Sequence, residues 1–402
     1  RQRQMCIRDR YQLVRRYVRQ RKRDWGDPGD GFMEPRWEPG IAQVDFGEGL
    51  ACIRGARVKV RCLVVAFPYS NMRWVVALPG ENAECVCEGS ETVFGHIGLA
   101  PRVPVFDNAT GAAHRVAWDT ITVVDVFRRF VEHYRVEVGF RNPASGWEKG
   151  SVENAVGFLR RDLMVPMPNA ESYRRLTSWM LSRCDGIAGD THCRKDVPIS
   201  DLFAGEKTRM LPLPRVPYDA CRWVTLRADR EGNVEIDSDR YLAGPSWHGW
   251  TLEAGSRAFQ VEIRTQDGRF VAKPPRAYGR AARTVGNPAS LPPVLARKSR
   301  AWGESPIRGD FPDRLRLAID AMDSKTRQRT FRLLAKASDA YGFDAAAKAG
   351  GHIVGQGHSV DEASLTAMAR RVSAGETPDD VPAPDLHAYD RFMRPETRAR
   401  AA

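Results

Sequence analysis

Three acidic residues sit among mostly apolar neighbours, and metal-assisted phosphoryl chemistry is what such acids can support. Asp45 lies inside Ala42-Gln43-Val44-Asp45-Phe46-Gly47, framed by Trp37-Glu38-Pro39-Gly40 before it and Gly47-Glu48-Gly49 after it. A carboxylate in a core is costly to desolvate, so it is either paired or turned toward a cleft that holds a cation. Asp107 ends the apolar run Val103-Pro104-Val105-Phe106, and Glu153 lies in the helical pattern Lys149-Gly150-Ser151-Val152-Glu153-Asn154-Ala155-Val156. Two divalent ions about 4 Å apart, held by carboxylates, activate one oxygen and stabilise another during in-line phosphoryl transfer. Mg²⁺ or Mn²⁺ accepts carboxylate oxygen and keeps waters, so two or three acids suffice without histidine. Each acid also has a plainer reading: a paired core carboxylate for Asp45, an Asx turn for Asp107-Asn108, and a helix-surface charge for Glu153. Glu153 borders the stripe Val152, Val156, Leu159 and Leu163, with Lys149 and Arg160 on its side of the helix. That placement suits a phosphate-rich cleft and an ordinary salt bridge equally.

These acids need a frame. Ala42–Phe46, Arg57–Phe67 and Trp74–Leu78 read as strands separated by turn residues. Glu81–Phe94 reads as a helix, Arg102–Phe106 as a strand, Ile121–Tyr134 as an amphipathic helix, Val136–Phe140 as a strand and Trp147–Leu163 as a helix. That order predicts an α/β fold, a mixed sheet with helices on its faces. Leu176–Cys184 and a short segment from Ile199 to Phe203 read as helical, followed by the proline-rich Leu211–Pro217. Beyond it, Trp223–Ala228 with Val234–Ile236, and Ala258–Arg264 with Phe270–Ala272, read as hairpins of a small β-barrel. Its Trp223, Tyr241, Trp247 and Trp250 read as core in preference to base-stacking platforms. Leu315–Tyr341 and Val360–Val372 read as C-terminal helices. The expected organisation is a basic N-terminal remnant (1–40), an α/β core (41–170), a helical connector and linker (171–220), the barrel (221–275), linker plus helices (276–375) and a disordered tail (376–402).

The chain carries 62 Lys and Arg against 50 Asp and Glu, a net charge of +12, which favours a polyanionic partner, nucleic acid before an anionic membrane. Tyr11–Trp25 reads as a basic helix, with Tyr11, Val14 and Val18 on one side and Arg15, Arg16 and Arg19 among the cations around the rest. It serves either as a DNA-contacting arm or as a solvated helix. Residues 1–10, RQRQMCIRDR, read as translated adapter sequence, and the Arg1 start as that of a fragment. No signal peptide or apolar run of membrane-spanning length is legible, so an intracellular location without a membrane is expected. The eight cysteines contain no C-x-x-C pair, and they read as reduced thiols in preference to a zinc site built on Cys184, His192 and Cys193.

The stretches Trp37–Gly47, Val105-Phe106-Asp107-Asn108 and Lys149-Gly150-Ser151-Val152-Glu153 together resemble the IstA-type insertion-sequence transposases, within the DDE superfamily that includes retroviral integrases. Arg160 matches the basic residue seven places after the glutamate in many of those enzymes. The resemblance implies an RNase H-like core built on a mixed five-stranded sheet. Asp45 would lie on its first strand, Asp107 after its fourth and Glu153 on its last helix, together ligating two Mg²⁺ (or Mn²⁺) ions. It implies a small β-barrel after the core; with the cations read above, Lys149, Arg160, Arg15, Arg16 and Arg19 are expected at DNA, and homo-oligomers are expected on element ends and target duplex. It also implies an AAA+ ATPase helper and a cytoplasmic, nucleoid-associated setting. The activity implied is DNA cleavage at element ends and strand transfer. A catalytically silent DNA-binding remnant and an RNase H-like nuclease without strand transfer are the competing readings. The helix-turn-helix region that would read element ends is represented only by Tyr11–Trp25, and Asn142–Glu148 is less basic than the family pattern.

Overall fold

The computed structural model describes residues 14, 16–21, 37–106, 113–117, 120–140, 157, 159–279 and 281–376. The chain divides into two compact units, Arg1–Cys221 and Arg222–Ala402.

In the first unit, β1 (Ile41–Ile53) and β2 (Ala56–Phe67) form a long antiparallel hairpin with Asp45 opposite Val64. Its two-residue turn, Arg54-Gly55, has φ of 52° and 78°. Positive φ at both central residues gives the turn the twist of the flanking strands, and glycine adopts it without strain. β3 (Met72–Leu78) extends the sheet antiparallel to β2. On the other side of β1 lie β4 (Val103–Phe106) and then β5 (Gly139–Phe140), both parallel to it. The strand order is therefore β3-β2-β1-β4-β5, and the short stretch Asn169–Ala170 pairs with the far end of β1. The mixed sheet expected from the sequence is present.

Helix α1 (Ala83–Ile97) begins where the Asn82 side chain accepts from the Cys85 N–H and ends at Gly98, whose φ is 80°. It packs tightly on the sheet: a Cβ at Gly89 would lie 2.7 Å from Leu63 Cδ2 and 2.9 Å from Leu78 Cδ1. Helix α2 (Asp125–Tyr134) starts later than the sequence suggests, because 120–123 is a strand paired with 113–117. The β-branched Ile121–Val124 run favours extended backbone, and Asp125 supplies the acidic first turn a helix prefers. Buried Phe106 meets Phe127 edge-on at 4.9 Å, and this contact locks the end of β4 under α2. Helix α3 (Tyr173–Asp185) covers the free edge of β3, where Thr177 Oγ1 accepts from the Ala77 N–H at 3.1 Å. Such capping removes an unpaired strand edge. Helix α4 (Ile199–Lys207) follows.

In the second unit, the strands are β6 (Arg222–Arg227), β7 (Asn233–Ile236), β8 (Asp239–Leu242), β9 (Thr251–Ser256), β10 (Val261–Thr265), β11 (Phe270–Ala272) and β12 (Thr284–Val285). They form a four-stranded sheet β6-β9-β10-β11 and a three-stranded sheet β7-β8-β12 around one core that includes Val234, Tyr241, Leu252 and Ile263. The β10–β11 hairpin matches expectation, whereas Trp223–Ala228 does not pair with Val234–Ile236. Asp229 Oδ1 accepts from the Glu231 and Asn233 N–H groups, both at 2.9 Å. That turn leads β7 away to pair with β8 across Asp237-Ser238, while β6 pairs with β9. Of the four aromatic residues read as core, Tyr241 is buried, but Trp250 is 55% exposed.

The expected helix Leu315–Tyr341 is two helices, α5 (Asp313–Ala321) and α6 (Ser324–Tyr341). Asp323 breaks the run by accepting from the Lys325 and Thr326 N–H groups, which starts a new helix. Helix α7 (Phe343–Gly355) had no counterpart in the sequence reading, and α8 (Glu362–Ser373) matches the last one expected. Trp302, Phe311, Leu315, Phe331 and Leu334 form the core here.

Candidate active site

Asp45 sits in the middle of the sheet on β1, half-buried between the fully packed Val44 and the β2 partner Val64. Its Oδ1 accepts from the Phe46 N–H at 2.8 Å. Alternation along a strand sends successive side chains to opposite faces, so buried Val44 and half-buried Asp45 look to different sides. On the neighbouring parallel strand, Phe106 pairs with Val44. Phe106 is the last described residue before Asp107.

Asp107, Lys149, Glu153 and Arg15 lie outside the described residues, so the convergence expected of the three acids falls on residues the structure does not describe. The backbone of Arg160 is described, within Leu159–Leu163, which is a π-helical turn. The expectation that Arg160 lies two α-helical turns along Glu153's own face rests on the span between them, most of which lies outside the described residues. Arg16 and Arg19 are exposed on the helical stretch 16–21. Val14 and Val18, expected as its apolar side, are 60% and 46% exposed. Of the cysteines considered for zinc, Cys184 is buried and Cys193 exposed.

One acid that the sequence reading passed over is Glu206 on α4. It is fully buried, and its Oε1 accepts from the N–H of Gly40, the residue just before β1. Burial pushes its carboxyl up to about 7, partly offset by the Ser70 hydroxyl and the Gly40 amide. On α1, burial and then the Glu88 charge push Glu91 up to about 7 as well. No sequence signal separates these acids from solvated helix charges, because their burial is set by what packs over them.

Comparison with known proteins bears on this arrangement. The family model described as Mu transposase, C-terminal domain, matches residues 213–285. A transposase of Aminobacter aminovorans is 30% identical over 233 residues, covering 57% of this chain and 46% of that protein. The transposase for insertion sequences IS1326/IS1353 of Pseudomonas aeruginosa is 27% identical over 251 residues, covering 62% of this chain and 49% of that protein. Over these stretches the chain is similar to transposases of insertion sequences. A third such relative, the transposase for insertion sequence element IS21 of Pseudomonas aeruginosa, is 23% identical over 210 residues, covering 52% of this chain and 53% of that protein. The chain spans about half the length of these relatives. Among solved structures, the HTLV-2 integrase catalytic core domain in complex with magnesium covers 42% of this chain and 97% of that one. Its sequence identity is 13% and its TM-score 0.29, a superposition too loose to bear on the site. No described helix is long and apolar enough to cross a membrane.

Proposed function

We propose that this chain carries the catalytic core of a DNA transposase, which cleaves at insertion-sequence ends and joins the freed 3′-hydroxyl to target DNA. Asp45, Asp107 and Glu153 are the acids assigned to it, on a core of RNase H-like type. The observation that carries this reading is the β1–β4 register. Val44 pairs with Phe106, and the next residue in each segment is an acid. Carboxylates that are brought close together repel unless a cation lies between them. The strand order supports the same reading, with Asp45 on the first strand and Asp107 following the fourth.

The donor set fits Mg²⁺ or Mn²⁺: carboxylate oxygens are the hard ligands these ions take, and half-buried Asp45 keeps access to solvent from a rigid strand. A bound pair of such ions would polarise the phosphate and activate the attacking oxygen. The chain's own part is to hold the DNA. Lys149 and Arg160 would grip phosphate near the acids, and Arg15, Arg16 and Arg19 would extend the contact along the backbone. We extend the reading to an AAA+ ATPase helper, to homo-oligomers on DNA, to a cytoplasmic, nucleoid-associated protein and to a small barrel over 221–275.

Asp45→Asn tests the reading in the full chain, with pre-cut element-end oligonucleotides and Mg²⁺. Strand joining should be lost while DNA affinity stays nearly intact, since metal ligation needs the negative charge and phosphate binding uses the cations. Full joining by the variant would remove Asp45 from the site and the reading with it.

A further inference from the structure

The second unit holds a cleft of about 310 Å³ lined by Ser246, Trp247, Trp250, Thr265, Asp267 and Arg269. That volume sits at the lower end of small-ligand clefts, roughly 300–1,000 Å³. The two indoles meet nearly perpendicular, at 85° with centroids 5.4 Å apart. Trp247 packs partly on the core of this unit, while Trp250 is 55% exposed. A large ring left in water beside a second one is a cost to the free protein that a stacking partner would remove.

Both walls are fixed by backbone hydrogen bonds. The Trp250 N–H donates to the Trp247 carbonyl at 3.0 Å, the Ala228 N–H donates to the Trp250 carbonyl at 2.9 Å, and the Gly249 N–H donates to the Ala228 carbonyl at 3.1 Å. Across from them, the Thr265 N–H donates to the Arg269 carbonyl at 2.9 Å and the Arg269 N–H to Thr265 Oγ1 at 3.0 Å. The Thr265 hydroxyl donates to the Asp267 carboxylate, which therefore forms part of the wall.

The charges choose the occupant. The Arg269 guanidinium lies 5.8 Å from the Trp247 ring centroid, and Arg297 donates to Ser246 Oγ at 3.0 Å. Two guanidiniums against the single Asp267 carboxylate leave the aromatic corner net cationic, which disfavours a cationic guest and suits a flat ring attached to phosphate. We propose that this cleft captures a single unpaired DNA base, which stacks on Trp250 while Arg269 and Arg297 hold the flanking phosphates. The proposal rests on DNA being what the chain binds, and it adds a requirement for a base out of the duplex stack.

The test compares two duplexes of equal length with the full chain. One is fully paired, and the other carries one bulged 2-aminopurine. The bulged duplex should bind more tightly, with the emission of the 2-aminopurine quenched on binding. Trp250→Ala should weaken binding to the bulged duplex about 5- to 150-fold, the range for losing one base–aromatic stack, and leave the paired duplex unchanged. Trp250→Phe should keep most of the preference. Equal affinity of the wild-type chain for both duplexes would overturn the proposal and leave the DNA reading standing. Equal weakening on both by Trp250→Ala, with or without a lowered melting temperature, would also overturn it and assign Trp250 to the scaffold. Binding of neither duplex would overturn both.

Discussion

Glu206 offers the sharpest test of the physical reasoning, because its burial has a pH-dependent consequence of calculable sign. The perturbation is Glu206→Gln, which keeps an acceptor for the Gly40 N–H and removes the charge. In the folded chain, burial raises the carboxyl from its ordinary 4.5 to about 7. The unfolded chain gives up this proton near its ordinary value and the folded chain only near neutrality, so between those values the unfolded state binds fewer protons. Stability must then fall as pH rises through that window, by about 3 kcal/mol in all, and stay level on either side of it. The glutamine variant lacks this contribution. At pH about 4.5 it should match the wild type within about 1 kcal/mol, and at pH about 8 it should exceed it by up to about 3 kcal/mol. Urea unfolding of both proteins across this range, read from the transition of the first unit, measures the difference. Glu91 titrates in the same region, but it is common to both proteins and cancels. A wild-type-minus-variant difference that does not change with pH would refute the account of Glu206 as a carboxylate held neutral by burial.

Other perturbations follow from the same contacts. Gly89→Val should lower stability by about 1–3 kcal/mol, seen as a lower melting temperature, because its Cβ already meets Leu63 and Leu78. Asp323→Ala should cost about 1 kcal/mol in urea unfolding by removing the cap that starts α6. Arg160→Ala should weaken DNA binding and lower its salt dependence by about one phosphate contact, with little change in melting temperature. A lowered melting temperature with unchanged DNA binding would place Arg160 in the scaffold instead.

What the sequence disclosed, and what it withheld, divides along the range of the forces involved. The apolar runs of β1, β2 and β3 were legible because alternation and turn residues are local, and Asp45 stood out against them for the same reason. The break at Asp323 is local too, yet it was hidden inside an apolar pattern that continues across it. The partner of Trp223–Arg227 was not legible, since a side-chain-capped turn at Asp229 sends the next strand into another sheet. Glu206 and Trp250 escape the sequence for opposite reasons: one acid is buried against Gly40 just before β1, and one indole expected in the core is left uncovered. Burial of either is a property of what the fold brings over it, which no spacing encodes. The candidate site has the same character. Neighbours in the sequence single out Asp45 and Asp107, but only the parallel register of β1 with β4 gives a reason for the two to act together. A one-residue slip of that register would exchange the faces to which β4 presents its side chains, so the pairing of Val44 with Phe106 is the step on which the catalytic reading turns.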